Sequence, residues 1–90
     1  MLPKNRPPTP PGEVLQEEFL TPKHMTQVEL ASKMKVSLQR VNELIRGKRG
    51  VTAETAILLG EVLGTTPEFW MNLQAGFDLW HARQRLRHAR

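Results

Sequence analysis

The stretch TQVELASKMKVSLQRVNELIR, residues 26–46, constrains the fold more tightly than any other part of the chain. Thr26 followed by Glu29 is a capping box: each side chain can satisfy a backbone N–H that the first helical turn leaves unpaired. Met25 and Leu30 occupy the two positions of a hydrophobic staple, which sets the angle at which the chain enters the helix. Ser37 is a second good cap, and Val41, Leu44 and Ile45 follow it at the spacing of a helix with one buried side. Two short amphipathic helices therefore stand back to back, and the turn between them is too tight for anything but a sharp crossing.

The rest of the chain is punctuated for three more helices. Val14, Leu15, Phe19 and Leu20 give an apolar first helix over residues 12–20, expected to end before Pro22. Gly47 is placed to take a left-handed conformation after the helix that ends near Arg46. Thr52 caps a helix whose apolar set is Ala53, Ala56, Ile57, Leu59, Val62 and Leu63, closing at Gly64. Gly60 inside it costs about 1 kcal/mol against alanine, which close helix–helix approach would explain. Thr66 with Pro67 and Glu68 starts a fifth helix. It runs through Phe69, Trp70, Leu73, Phe77, Leu79 and Trp80, with Gly76 the expected point of bending. No segment alternates with period two, so the fold class is all-α, with five helices and an extended C-terminal one. Phe69, Trp70, Leu73 and Phe77 are expected in the core, whereas Leu79 and Trp80 lie beyond it as candidates for a homodimer interface.

The domain boundaries follow from composition. Five prolines among the first eleven residues make 1–11 an extended arm. Residues 12–80 form one domain, and 81–90 a basic tail. Ninety residues bury only roughly 60–65% of the unfolded surface, so a second copy or a partner would help. The chain has no cysteine, which removes disulfides and thiolate metal sites. No apolar run approaches the roughly 18–20 residues of a membrane span, and no signal-peptide pattern opens the chain. A cytoplasmic location without membrane contact is expected.

The net charge of +4 is unevenly placed. Residues 33–49 hold six cations and one acid, residues 50–80 four acids and no Lys or Arg, and residues 81–90 four arginines. A polyanion would meet the 33–49 block first. That block coincides with the second helix of the pair, whose side away from Val41, Leu44 and Ile45 carries Leu38, Gln39, Arg40, Asn42, Glu43 and Arg46. A helix-turn-helix presents its recognition helix to a DNA major groove in this way.

Ser37 begins that face, and Gln39 and Arg40 sit where base edges are reached. Gln39 suits adenine and Arg40 guanine, each worth roughly 1–3 kcal/mol of discrimination. Asn42 and Glu43 lie one turn on, Glu43 placed to accept from a cytosine amine or to repel a wrong base. Leu38 either meets a thymine methyl or tucks beneath the first helix of the pair. Gln27, Arg46, Lys48 and Arg49 flank the helix as phosphate anchors.

Enzyme chemistry has no foothold. Ser32 and Ser37 lack an elbow motif or a neighbouring histidine, and Glu17 and Glu18 are adjacent, so they diverge on a helix. His81 and His88 lie about 10 Å apart by helical rise, too far to share a metal. Neither a catalytic set nor a cofactor is expected.

Residues 26–64 resemble the five-helix DNA-binding domain of phage-repressor-like (XRE) regulators. Two flanking stretches, PGEVLQEEFL at 11–20 and TPEFWMNLQAGFDL at 66–79, resemble HigA antitoxins. The second is the more specific: Pro67, Phe69, Trp70, Asn72, Leu73, Gln74, Phe77, Asp78 and Leu79 all fall in that family's pattern. The resemblance implies a dimeric autorepressor that binds double-stranded operator DNA and neutralises a RelE-like, mRNA-cleaving (HigB-type) toxin. Two positions depart from the pattern. Lys35 stands where the family usually has a glycine in the turn, so it must adopt positive φ or the turn must differ. Pro10 and Pro11 stand where a histidine often precedes Pro-Gly-Glu. Two rival readings are a stand-alone XRE-type repressor without a toxin, and a protein-interaction module that no longer binds DNA.

Overall fold

The computed structural model describes residues 7–89, which form five helices and no strand. The first, α1, is a composite: α-helix over Pro11–Val14, π-helix over Leu15–Leu20 and α-helix again over Thr21–Lys23. Then follow α2 (Gln27–Met34), α3 (Leu38–Ile45), α4 (Ala53–Leu63) and α5 (Pro67–Ala89).

α1 departs from expectation at both ends. Pro11 is its first residue and is buried, so the arm stops one residue earlier; residues 1–6 of that arm lie outside the described residues. At the other end the helix passes through Pro22 to Lys23. Proline disrupts an α-helix by losing an N–H and pressing its ring on the carbonyl four residues back. Here the turn upstream is already widened, with the Thr21 N–H bonded five residues back to Gln16, and that shift relieves the clash. The wide turn also serves packing. At 3.6 residues per turn, positions 15 and 20 would lie about 140° apart; the π segment brings Leu15 and Leu20 to one side, both fully buried.

α1 ends by a double bond across a left-handed residue: His24 has φ 53°, its N–H bonds Thr21 O, and Met25 N–H bonds Leu20 O at 2.9 Å. The same motif closes α2 with Lys35 at φ 60° and Val36 N–H bonded to Ala31 O, and it closes α3 with Gly47 at φ 76°. Lys35 therefore takes the positive φ that its position demands.

The core draws on every helix. Leu15 and Leu20 from α1 meet Leu30, Ala31 and Met34 from α2, Val41 and Leu44 from α3, and Ala56, Leu59 and Leu63 from α4. Val51, just before α4, and Trp70 of α5 complete it. The Trp70 indole N–H is satisfied by Thr65 Oγ1 at 2.6 Å. α1 approaches α3 closely enough that a Cβ on Gly12 would fall 2.7 Å from the Ile45 carbonyl oxygen and nearer still to that of Leu44. Only glycine fits there.

Several apolar expectations shift. Ile57 and Phe69 are exposed, although Phe69 stacks edge-on against Trp70 and Phe19 at 5.0 and 6.0 Å. Gly60 is approached by the Thr65 carbonyl of the turn into α5, where a Cβ would sit at 2.5 Å, and not by another helix. α5 continues unbroken through Gly76, and residues 81–89 of the tail are helical. Nothing crowds Gly76, and an isolated glycine costs a helix too little to break one that continues for several turns beyond it.

Candidate nucleic-acid interface

The helix pair is built by the caps that the sequence predicts. Thr26 Oγ1 accepts from the Glu29 N–H at 3.1 Å while the Thr26 N–H donates to Glu29 Oε1 at 3.1 Å. Ser37 Oγ accepts from the Arg40 N–H at 3.1 Å, so its hydroxyl oxygen is engaged in starting α3. With Val41 and Leu44 buried and Ile45 half-buried, the opposite side of α3 faces outward. Leu38 is 48% exposed, which places it on the open face and not under α2. Gln39, Arg46 and Lys48 are exposed as well.

The other polar residues of this face are tied to one another. Asn42 is half-buried and its Nδ2 donates to Gln27 Oε1 at 3.1 Å, bridging α3 to the start of α2. The Gln27 amide N–H groups take no part in this bond, while Asn42 is drawn back from the surface. Glu43 accepts from Gln39 Nε2 at 3.3 Å on one oxygen and from Arg49 at 2.9 and 3.2 Å on the other. The Arg49 contact first, then the Gln39 hydrogen bond, hold the Glu43 carboxyl below the usual carboxylate range.

Arg40 is placed differently from the outward guanine grip expected of it. Its guanidinium swings toward α4, where one terminal nitrogen donates to Glu54 Oε1 at 3.2 Å and to Thr55 Oγ1 at 3.1 Å. Its Nε is buried without a partner. The sequence did not signal this contact, because Glu54 and Thr55 read as ordinary first-turn residues of α4. Thr55, at 3% exposure, is the one polar side chain fully buried with the core among the described residues. Gln74 was also missed as a structural support. Its Oε1 accepts the Val51 N–H at 2.7 Å and its amide lies against Gly50, so α5 braces the loop that carries Lys48 and Arg49.

The surface as a whole is thus an exposed helix with Gln27 at one flank and Arg46, Lys48 and Arg49, which belong to the basic block at 33–49, at the other. Its chemistry suits a phosphate backbone with base edges between. The described residues include no group of His, Asp or Glu set to hold a metal ion, and no helix long and apolar enough to cross a membrane. Leu79, on α5, is 52% exposed. Trp80 is half-buried with its indole nitrogen unpartnered.

A helix-turn-helix family model matches residues 16–70, and the chain belongs to that family, a family of DNA-binding regulators and not of enzymes. Within it the chain is of the XRE-type, HigA antitoxin kind. It is 48% identical over 81 residues to antitoxin HigA-1 of Vibrio cholerae, an alignment covering 89% of this chain and 75% of the relative. The fold superimposes on Pseudomonas aeruginosa antitoxin HigA with the higBA promoter, with a TM-score of 0.83, 39% identity and coverage of 90% and 92% of the two chains. It matches antitoxin GraA in complex with its operator with a TM-score of 0.82, 42% identity and coverage of 93% and 85%.

Proposed function

We propose that this protein represses its own promoter as a homodimer, reading operator DNA with α3, and neutralises a RelE-like, mRNA-cleaving toxin of the HigB type. The observation that carries the DNA reading is the open face of α3, with Leu38 and Gln39 exposed between Gln27 on one side and Arg46, Lys48 and Arg49 on the other. Ser37 contributes by starting the helix, Asn42 by holding Gln27, and Glu43 by holding Gln39 and Arg49. Arg40 serves at the edge of the face, leaning on Glu54 and Thr55. The solved relatives that carry promoter or operator DNA support this assignment.

A symmetric dimer suits half-sites about 34 Å apart, one helical turn of DNA. Leu79 and Leu86, one heptad apart and both exposed, with Trp80 beside them, supply an apolar strip on α5 for the second copy. The toxin role rests on likeness to the HigA relatives and on the acidic stretch at 50–80, which complements a basic partner.

Titration of the DNA upstream of the protein's own gene tests the first part. Gln39→Ala relaxes preference at particular operator positions, whereas Lys48→Ala weakens all sequences and lowers the salt slope by about one. No change in either variant removes α3 and its loop from the interface. Co-expression with the product of the adjacent gene tests the second part. A basic RelE-like neighbour that co-purifies and is silenced supports it; a neighbour that remains toxic leaves a stand-alone repressor.

A further inference from the structure

Glu43 is the anomaly of this surface. It is the only acid in a block of six cations, and it sits on the helix expected to face a polyanion. A free carboxylate there would repel phosphate at every encounter. The side chain is not free. One oxygen receives Gln39 Nε2, four residues back on the same helix, and the other receives Arg49 Nε and a terminal Arg49 nitrogen from the loop beyond α3.

We propose that Glu43 is a positioning residue for DNA recognition: it reads no base itself, but fixes Gln39 toward a base edge and Arg49 toward the backbone. This rests on the reading of α3 as the recognition helix. Both partners are long side chains with several rotatable bonds, and on an exposed surface each would lose rotamer freedom on docking. Glu43 removes part of that loss before DNA arrives. It is itself half-buried and bonded on both sides, and its charge is compensated by the cation it holds. Its depressed pKa agrees with a carboxylate that remains ionised, and so remains an acceptor, at neutral pH.

The geometry makes the two oxygens unequal in kind of partner but alike in need: each must accept. Glutamine at 43 offers one acceptor oxygen and one amide nitrogen. The oxygen can take Arg49, but the nitrogen then meets Gln39 as a donor. Gln39 can pair with it only by turning its amide over, which presents its other end to the DNA. Alanine holds neither. The two substitutions therefore move recognition in the same direction even though both remove a negative charge from a DNA-facing surface.

The experiment compares fluorescence-anisotropy titrations of the full chain on its operator duplex and on a scrambled duplex of equal length. The proteins are wild type, Glu43→Gln, Glu43→Ala, Gln39→Ala and the Gln39→Ala/Glu43→Ala double variant. Circular dichroism melting checks that each is folded, and Glu43→Gln carries the test should Glu43→Ala unfold. Positioning predicts that operator affinity falls about tenfold in both Glu43 variants, while scrambled-duplex affinity holds or rises. It also predicts that Gln39→Ala costs much less in the Glu43→Ala background than alone. Affinities that rise together on both duplexes would show a plain repulsive charge and overturn the proposal. So would additive effects of the two substitutions with preference lost at a single base pair, because Glu43 would then be reading a base itself. A wild-type protein that does not prefer its operator would instead overturn the α3 reading beneath the proposal.

Discussion

At the scale of single residues, the chain tolerates a conformation that its amino acids do not favour. Lys35 and His24 both hold positive φ at the ends of helices, where glycine is the common choice. The left-handed region costs an L-residue roughly 1–2 kcal/mol, and glycine gives back part of that through greater freedom in the unfolded chain. Lys35→Gly is therefore expected to stabilise the fold by about 0.5–1 kcal/mol, measured as a rise in the urea midpoint at unchanged m-value. A lower midpoint would mean that the lysine side chain contributes contacts that outweigh its backbone strain. The family resemblance pointed to this position and left two outcomes, positive φ or a different turn; the structure takes the first.

Among the helices, the division between local and distant causes is sharp. α2 and α3 begin where their caps say, and the hydrogen bonds of Thr26, Glu29 and Ser37 are those their spacing predicts. Removing the reciprocal cap with Thr26→Ala is expected to cost about 1 kcal/mol, read as a lowered thermal midpoint; the same substitution at exposed Thr9, outside any helix, should change little. α1 behaves otherwise. Its apolar residues at 15 and 20 share a face only in a π-helical turn, and nothing local demands that turn. It forms because the core on one side requires both leucines. Pro22 looks like a stop in the sequence for the same reason: local rules assume an α-helical carbonyl four residues back. The Gly60 expectation erred in partner but not in kind, since a backbone group does approach, from a loop and not a helix.

On the scale of the whole molecule, α5 is the element with most left uncovered. Of its 23 residues only Trp70 is buried, and Leu79 and Leu86 stand exposed where the helix outruns the bundle. Trp80→Glu is expected to convert a dimer into folded monomers by light scattering, with operator binding weakened because both half-sites are no longer engaged together. An unchanged dimer mass would put the interface on another face. The same helix reaches the loop after α3 through Gln74, so α5 joins the region proposed for self-association to the proposed phosphate anchors Lys48 and Arg49.

The sequence by itself determined the all-α class, the helix pair at 26–46 with its caps, the basic block, and the outward position of Gln39, Arg46 and Lys48. These follow from helical periodicity, cap chemistry and charge, which act over three or four residues and need no knowledge of distant partners. Leu38, by contrast, could have faced out or tucked under α2 until its exposure decided it. Tertiary structure alone decided what the polar residues of that face do. Arg40 turns to Glu54 and Thr55 fourteen and fifteen positions away, and Asn42 to Gln27 fifteen positions back. Glu43 and Arg49 meet because the loop folds over the end of α3. Long polar side chains on one helix face have several partners within reach, and only the packed neighbours settle which of them each one takes.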